Sequence, residues 1–247
     1  MIRYAWQLLL EYFPTGLEFL SYGVPSVMLA FVYLYFAGYL KKHKGWRTGY
    51  TRKVFHFLVF FTASIVQIKL ELTGTIVYGI AVSIAVFFAI YKGKGFILYE
   101  AMAREKDEPK QTYYIIMPYL ATLLGGILSN ILFTPVGAAF GYLATGFGDA
   151  VGEPFGTAFG KHKYKVPSLK GVSSYRSYEG SAAVFLAGFL AILIGVLLSS
   201  IVLAPIVLVK ILVIAFAVTL VEAVSPHGWD NLTTQLVGSS LAFLWFL

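Results

Sequence analysis

Residues 111–148, QTYYIIMPYLATLLGGILSNILFTPVGAAFGYLATGFG, run for 38 positions without an Asp, Glu, Lys or Arg. An α-helix crosses the hydrocarbon core of a bilayer in about 20 apolar residues. The stretch is therefore too long for one crossing and fits two. Asn130 and the Thr134-Pro135 pair are its natural break, since proline removes a ladder donor and disfavours helix at the residue before it.

The same pattern extends in both directions. Residues 19–40 hold no charge and read as a first span. Residues 54–68 and 72–91 follow as a short second and a third span, with Lys69 and Glu71 marking a tight turn between them. Beyond the central stretch, residues 180–203, 205–224 and 231–247 supply the sixth to eighth spans, Lys210 being long enough to snorkel outward. Before the first span, residues 1–13 are amphipathic and end at Pro14, which predicts an interfacial helix within residues 1–20. No small-residue cleavage site follows this segment, so a cleaved signal is not expected.

Composition agrees. Of the 247 residues, 58% are hydrophobic and 13% charged, and the mean hydropathy is +0.76. Soluble domains carry about 25% charged residues. An ordinary soluble enzyme, a disordered chain and a secreted disulfide scaffold are all excluded. With no cysteine, no disulfide or thiolate metal site is possible. A membrane barrel needs alternating strands of about 10 residues, whereas these runs are continuous and rich in Leu, Ala and Val. The expected fold is all-α, a polytopic integral membrane protein of about eight transmembrane helices. Residues 1–247 then form a single membrane domain.

Charge orients it. The segments after the first, third and fifth spans carry 16 of the 19 Lys and Arg residues, and only Arg3, Lys69 and Lys210 fall elsewhere. Positively charged loops stay in the cytoplasm, so these loops are expected there and both termini outside. The net charge of +7 thus fits anionic lipid and nucleotide phosphate, with no nucleic-acid partner implied.

Acidic residues at membrane depth are costly and call for a function. Asp149, Glu153, Glu179, Glu222 and Asp230 all fall at the cytoplasmic ends of the last four expected spans, and Arg52, Lys53 and His56 at the start of the second. This topology brings them to one membrane face, as one active site would require. Asp149 and Glu153 are four apart and share a helix face. Two such carboxylates beside a basic loop suit Mg²⁺ held against phosphates. Gly148, Gly152, Gly156 and Gly160 recur every four residues, which suits helix packing; Gly156 and Gly160 also permit close approach of backbone to phosphate. The basic segment 161–178 contributes Lys161, Lys163, Lys165, Lys170 and Arg176 and no acid before Glu179. Alone it is a plain cytoplasmic loop; beside Asp149 and Glu153 it reads as a triphosphate-binding loop. Ser181, near a helix start, suits an anion. Asp230 is either part of this site or a helix cap.

These residues form a recognisable order: Arg52-Lys53-x-x-His56, Gly148-Asp149 with its glycine-rich helix, the Lys161–Pro167 region, Ser177-Tyr178-Glu179-Gly180-Ser181, and Glu222 with Asp230-Asn231-Leu232. The set, spanning about residues 50–235, resembles the phytol kinase/dolichol kinase family, CTP-dependent membrane kinases of isoprenoid alcohols. The resemblance implies a nucleotide and metal site built from Asp149 and residues 161–179 and completed by Asp230 and Asn231. Arg52, Lys53, Gly156, Gly160, Lys161, Lys165, Lys170, Arg176, Ser181 and Asn231 are the nucleotide-binding candidates. Asp149, Glu153 and Asp230 are the candidates for Mg²⁺ or another divalent cation. The base is Asp149, Glu179 or His56. Two positions depart from the pattern: Glu153 stands where the family often has a small or apolar residue, and the family commonly has Lys near Arg176.

The implied activity is transfer of the γ-phosphate of CTP to a lipid alcohol of the phytol, geranylgeraniol or dolichol type at the cytoplasmic face. The partners are then the alcohol, a nucleoside triphosphate and membrane lipids; the oligomeric state is open. A cytidylyltransferase making a CDP-activated lipid is the alternative. A solute transporter ranks lower, because its acids belong near the midplane of paired repeats and no repeat is visible here.

Overall fold

The computed structural model describes residues 2–167, 174–226 and 228–247. It is overwhelmingly helical, and five of its helices are long and apolar enough to cross a membrane. The chain divides into two compact units, Met1–Ile116 and Met117–Leu247.

The first unit opens with α1 (Ile2–Tyr12), which stops before Pro14 as the sequence predicts. A capping box starts α2 (Gly16–Lys44): the Thr15 hydroxyl accepts from the Glu18 amide, and the Glu18 carboxylate accepts from the Thr15 amide at 2.8 Å. Gly45, at φ +66°, ends the helix in the left-handed conformation that glycine adopts without cost. The next element, α3 (Thr48–Lys92), covers 45 residues but leaves helical geometry at Glu71, where φ is +55°. As a straight rod it would be roughly 67 Å long, more than twice a hydrocarbon core of about 30 Å.

Side chains show that α3 folds back instead. Phe31 on α2 meets Phe88 (ring centroids 5.5 Å apart), and two residues later Tyr33 bonds Thr62 at 3.0 Å. Positions 62 and 88 would be roughly 39 Å apart along one helix. The turn expected at Lys69 and Glu71 is therefore present, and it separates the second and third expected spans.

A short α4 (Ile97–Glu100) and a 3₁₀ turn (Glu105–Asp107) follow. Gly38 of α2 packs so closely on this segment that a Cβ there would lie 2.5 Å from the Ile97 carbonyl oxygen. Lys41, read from sequence only as a cytoplasmic positive charge, pairs with Glu100 at 3.0 Å and Glu105 at 2.9 Å.

The second unit holds most of α5 (Gln111–Leu132), then α6 (Pro135–Phe159), α7 (Tyr178–Leu198), α8 (Pro205–Val224) and α9 (Asp230–Phe246). Thr134 caps α6, with Pro135 in its first turn, at the break expected from the uncharged stretch. One face of α8, Val207, Ile211, Ile214 and Val218, joins Phe140, Ala144, Ile192 and Val196 in a buried core. Its opposite face, Ile206, Val209, Val213, Phe216 and Leu220, is exposed. Such a wide apolar face is unstable in water and natural in lipid.

Helix is thus present in each of the eight stretches read as spans, while five helices meet the length and apolarity needed to cross a membrane. The basic segment differs from its expectation as a loop. It contains an antiparallel pair, β1 (Lys163–Val166) with β2 (Ser174–Ser177), in which Lys163 faces Ser177 and Val166 faces Ser174. The alternation Lys-Tyr-Lys-Val is a strand pattern, with Lys163 and Lys165 exposed and Val166 buried.

Candidate functional site

The second unit carries the site. Its α6, α7, α8 and α9 enclose a small cavity of about 10 Å³, room for one water-sized group. Thr145, Gly148 and Asp149 line it from α6, Glu222 from α8, and Asp230 and Asn231 from α9. These positions come from three stretches of sequence, and helix packing makes them neighbours. Gly141 brings α6 against α9, since a Cβ there would meet the Gln235 carbonyl oxygen at 2.5 Å. Thr145 and Thr234 then bond across the same interface at 2.9 Å.

Arg176, from β2, reaches the same corner. Its Nε pairs with Glu222 Oε1 at 3.0 Å, its Nη2 donates to Asp230 Oδ2 at 2.9 Å, and its Nη1 donates to the Ser225 carbonyl at 3.4 Å. The three side chains are only 13–15% exposed. Charges this sheltered must be paired, because desolvation of a lone one costs several kcal/mol. Trp229 holds the N-cap position of α9 and no side chain caps it there; Asp230 meets Arg176 through Oδ2 and accepts the Asn231 amide through Oδ1 at 3.2 Å, so it serves both the ion pair and the helix end.

The hairpin has a second attachment. The Glu179 carboxylate accepts the His162 amide at 3.3 Å and pairs with His162 Nδ1 at 2.7 Å. Tyr164 and Ser181 share a hydrogen bond at 2.7 Å. Burial pushes the Tyr164 phenol above its ordinary range, against the smaller opposing effect of Ser181, so it stays neutral. Lys161 and Lys165 remain exposed on this hairpin, and Lys170 lies outside the described residues, as does His227.

Of the residues anticipated from sequence, Asp149, Asp230 and Asn231 line one cavity, and Arg176 is bonded to Asp230. Asn231 is buried, with its side-chain amide donating to Thr122 at 2.9 Å, so it ties α9 to α5. Glu153 is half-buried one turn beyond Asp149 and does not line the cavity. Gly156 and Gly160 serve packing: a Cβ on Gly160 would meet the Ser177 side chain, and one on Gly180 would lie 3.2 Å from the Gly156 Cα. Glu179 and Ser181 hold the hairpin. Arg52, Lys53 and His56 belong to α3 of the first unit, with Lys53 buried and the His56 ring 4.4 Å from that of Phe60.

Among the described residues, no three His, Asp or Glu side chains converge as a metal-binding group. The trio Asp149, Glu153 and Asp230 is not assembled. Mg²⁺ that arrives with a triphosphate needs only one or two protein carboxylates and keeps water or phosphate elsewhere. Asp149 is one such carboxylate at the cavity.

Thr145 joins the site without having been anticipated from sequence, and Glu222, grouped from sequence with the acids of one face, had been given no particular role there. The signal for α9 was present: Asn231, Thr234, Gln235, Gly238, Ser239 and Ala242 recur at helical spacing, and all are buried.

No family model matches the chain, and no solved structure matches it. Among characterised proteins, the phytol kinase of Synechocystis sp. is 34% identical over 131 residues, which is 51% of this chain and 52% of that protein. The chain thus spans about half the length of the curated relative it matches. Over that stretch the chain is similar to a phytol kinase.

Proposed function

We propose that the protein is an integral-membrane lipid kinase. It transfers the γ-phosphate of CTP to an isoprenoid alcohol of the phytol, geranylgeraniol or dolichol type, at the cytoplasmic face. The observation that carries this is the meeting of Asp149, Glu222, Asp230 and Arg176 at one end of apolar helices, in a chain similar to a phytol kinase. The cytoplasmic orientation rests on the 16-to-3 distribution of Lys and Arg.

In this mechanism the alcohol chain stays in lipid and its hydroxyl reaches the helix ends. Asp149 would hold Mg²⁺, which neutralises phosphate charge when bound. Exposed Lys161 and Lys165 offset the negative charge that develops on the transferred group, while Arg176 binds the triphosphate throughout. Of the three candidate bases, Asp149 alone lines the cavity, since Glu179 is engaged by His162. Transfer breaks the bond from the β,γ-bridging oxygen to the γ-phosphorus and forms one from the alcohol oxygen. The alcohol proton passes to the base, and CDP leaves.

The test uses purified protein with Mg²⁺ and geranylgeraniol, and compares CTP with ATP. A phosphorylated lipid is expected in the organic phase with CTP, at least tenfold less with ATP (on the order of 1.4 kcal/mol of discrimination), and none after chelation. Equal product from both nucleotides would remove CTP from the proposal. Absence of product with every alcohol and nucleotide would remove the kinase.

A further inference from the structure

Arg176 has five N–H donors, and three of them go to Glu222, Asp230 and the Ser225 carbonyl. Two remain. We infer that Glu222 is a positioning residue: it fixes the guanidinium, and with it the basic hairpin, so that the remaining donors face an incoming triphosphate. This rests on the kinase proposed above and adds a residue that acts through Arg176.

Glu222 and Asp230 come from different helices and hold the guanidinium by different nitrogens, Nε and Nη2. Two such bonds fix the guanidinium plane where one leaves it free to turn. The Ser225 carbonyl, at the C-terminal end of α8, adds a third bond and an appropriate partial charge. The anchor lies one residue from the end of β2, and the hairpin's other attachments, His162 to Glu179 and Tyr164 to Ser181, sit at α7. Arg176 is thus the hairpin's described link to α8 and α9. Without Glu222, the guanidinium keeps Asp230 and the long, weak 3.4 Å bond to the Ser225 carbonyl, which hold its plane less firmly, and exposed Lys163 and Lys165 are held less firmly with it.

Two readouts separate this role from a general structural one. The chain lacks cysteine, so Tyr175→Cys, exposed on β2, takes a single spin label that reports hairpin mobility. Glu222→Gln should raise that mobility and raise KM for CTP about tenfold, with kcat within about twofold, as expected for loss of a contact made equally in ground and transition states. Glu222→Asp should recover most of the affinity. Added to Arg176→Gln, Glu222→Gln should cost nothing more, because the two act as a unit. Arg176→Lys keeps the charge but loses the planar fork. It should mimic Glu222→Gln in both readouts, which keeps the test open if Glu222→Gln does not fold. An unchanged label in Glu222→Gln and Arg176→Lys overturns the anchoring. A mobile label with unchanged KM overturns its link to the triphosphate. A wild-type protein that phosphorylates no alcohol overturns the kinase and leaves the label result standing.

Discussion

Replacing Asp149 with Asn is expected to lower turnover on the order of 10³-fold, the scale of losing a general base, while the protein still inserts and folds. Asn keeps the size of the side chain, and the site is half-buried rather than packed solid. What changes is the negative charge beside the cavity formed with Glu222, Asp230 and Asn231. A carboxylate at such depth is costly, which motivates a role in chemistry. Glu153→Gln, one turn away and not at the cavity, should lose much less. The check is initial rate, with a detergent gel-filtration profile for each variant. Near-normal turnover in Asp149→Asn, or loss of folded protein without a selective rate defect, would make Asp149 structural.

The second large effect concerns the joint between α6 and α9. A Cβ on Gly141 would collide with the Ser239 hydroxyl and lie 2.5 Å from the Gln235 carbonyl oxygen. Backbone cannot swing aside as a long side chain can. Gly141→Ala should therefore destabilise by about 1–3 kcal/mol, the usual scale of overpacking. That corresponds to a Tm lower by roughly 2–12 °C for a chain of this size. Gly141→Val should be worse. Gly79→Ala is the contrast: nothing lies within 4 Å of its Cβ, and alanine favours the helix. Thermal unfolding of the three variants in one detergent checks both directions. Equal Tm values for Gly141→Ala and Gly79→Ala would contradict the close approach of α6 to α9.

The helices were legible because lipid imposes a simple rule: long uncharged stretches, interrupted by charge or proline. Pro14, Pro135 and Pro205 all mark helix boundaries, and Glu71 marks the fold-back of α3. The hairpin was missed because its lysines drew attention as charge, while their alternation with Tyr164 and Val166 carried the strand signal. Asp149, Asp230 and Asn231 were legible as a group, since acids near membrane ends are rare. The pairing of Arg176 with Glu222 and Asp230 was not. It joins residues 46 and 54 positions apart, and no periodicity encodes such a contact. Gly156 and Gly160 show the opposite case, since a glycine repeat suits both phosphate approach and packing, and only contact with Ser177 and Gly180 distinguishes them.

The central claim is that an alcohol oxygen attacks the γ-phosphorus of a nucleoside triphosphate at this site. Purified protein should be given γ-labelled or α-labelled CTP in parallel, with Mg²⁺ and geranylgeraniol or phytol. A cytidylyltransferase would instead direct a lipid phosphate at the α-phosphorus and release pyrophosphate. The expected result is label from the γ position in the lipid, none from the α position, and CDP as the other product. Lipid labelled only from the α position, with a lipid phosphate as the required acceptor, would contradict it.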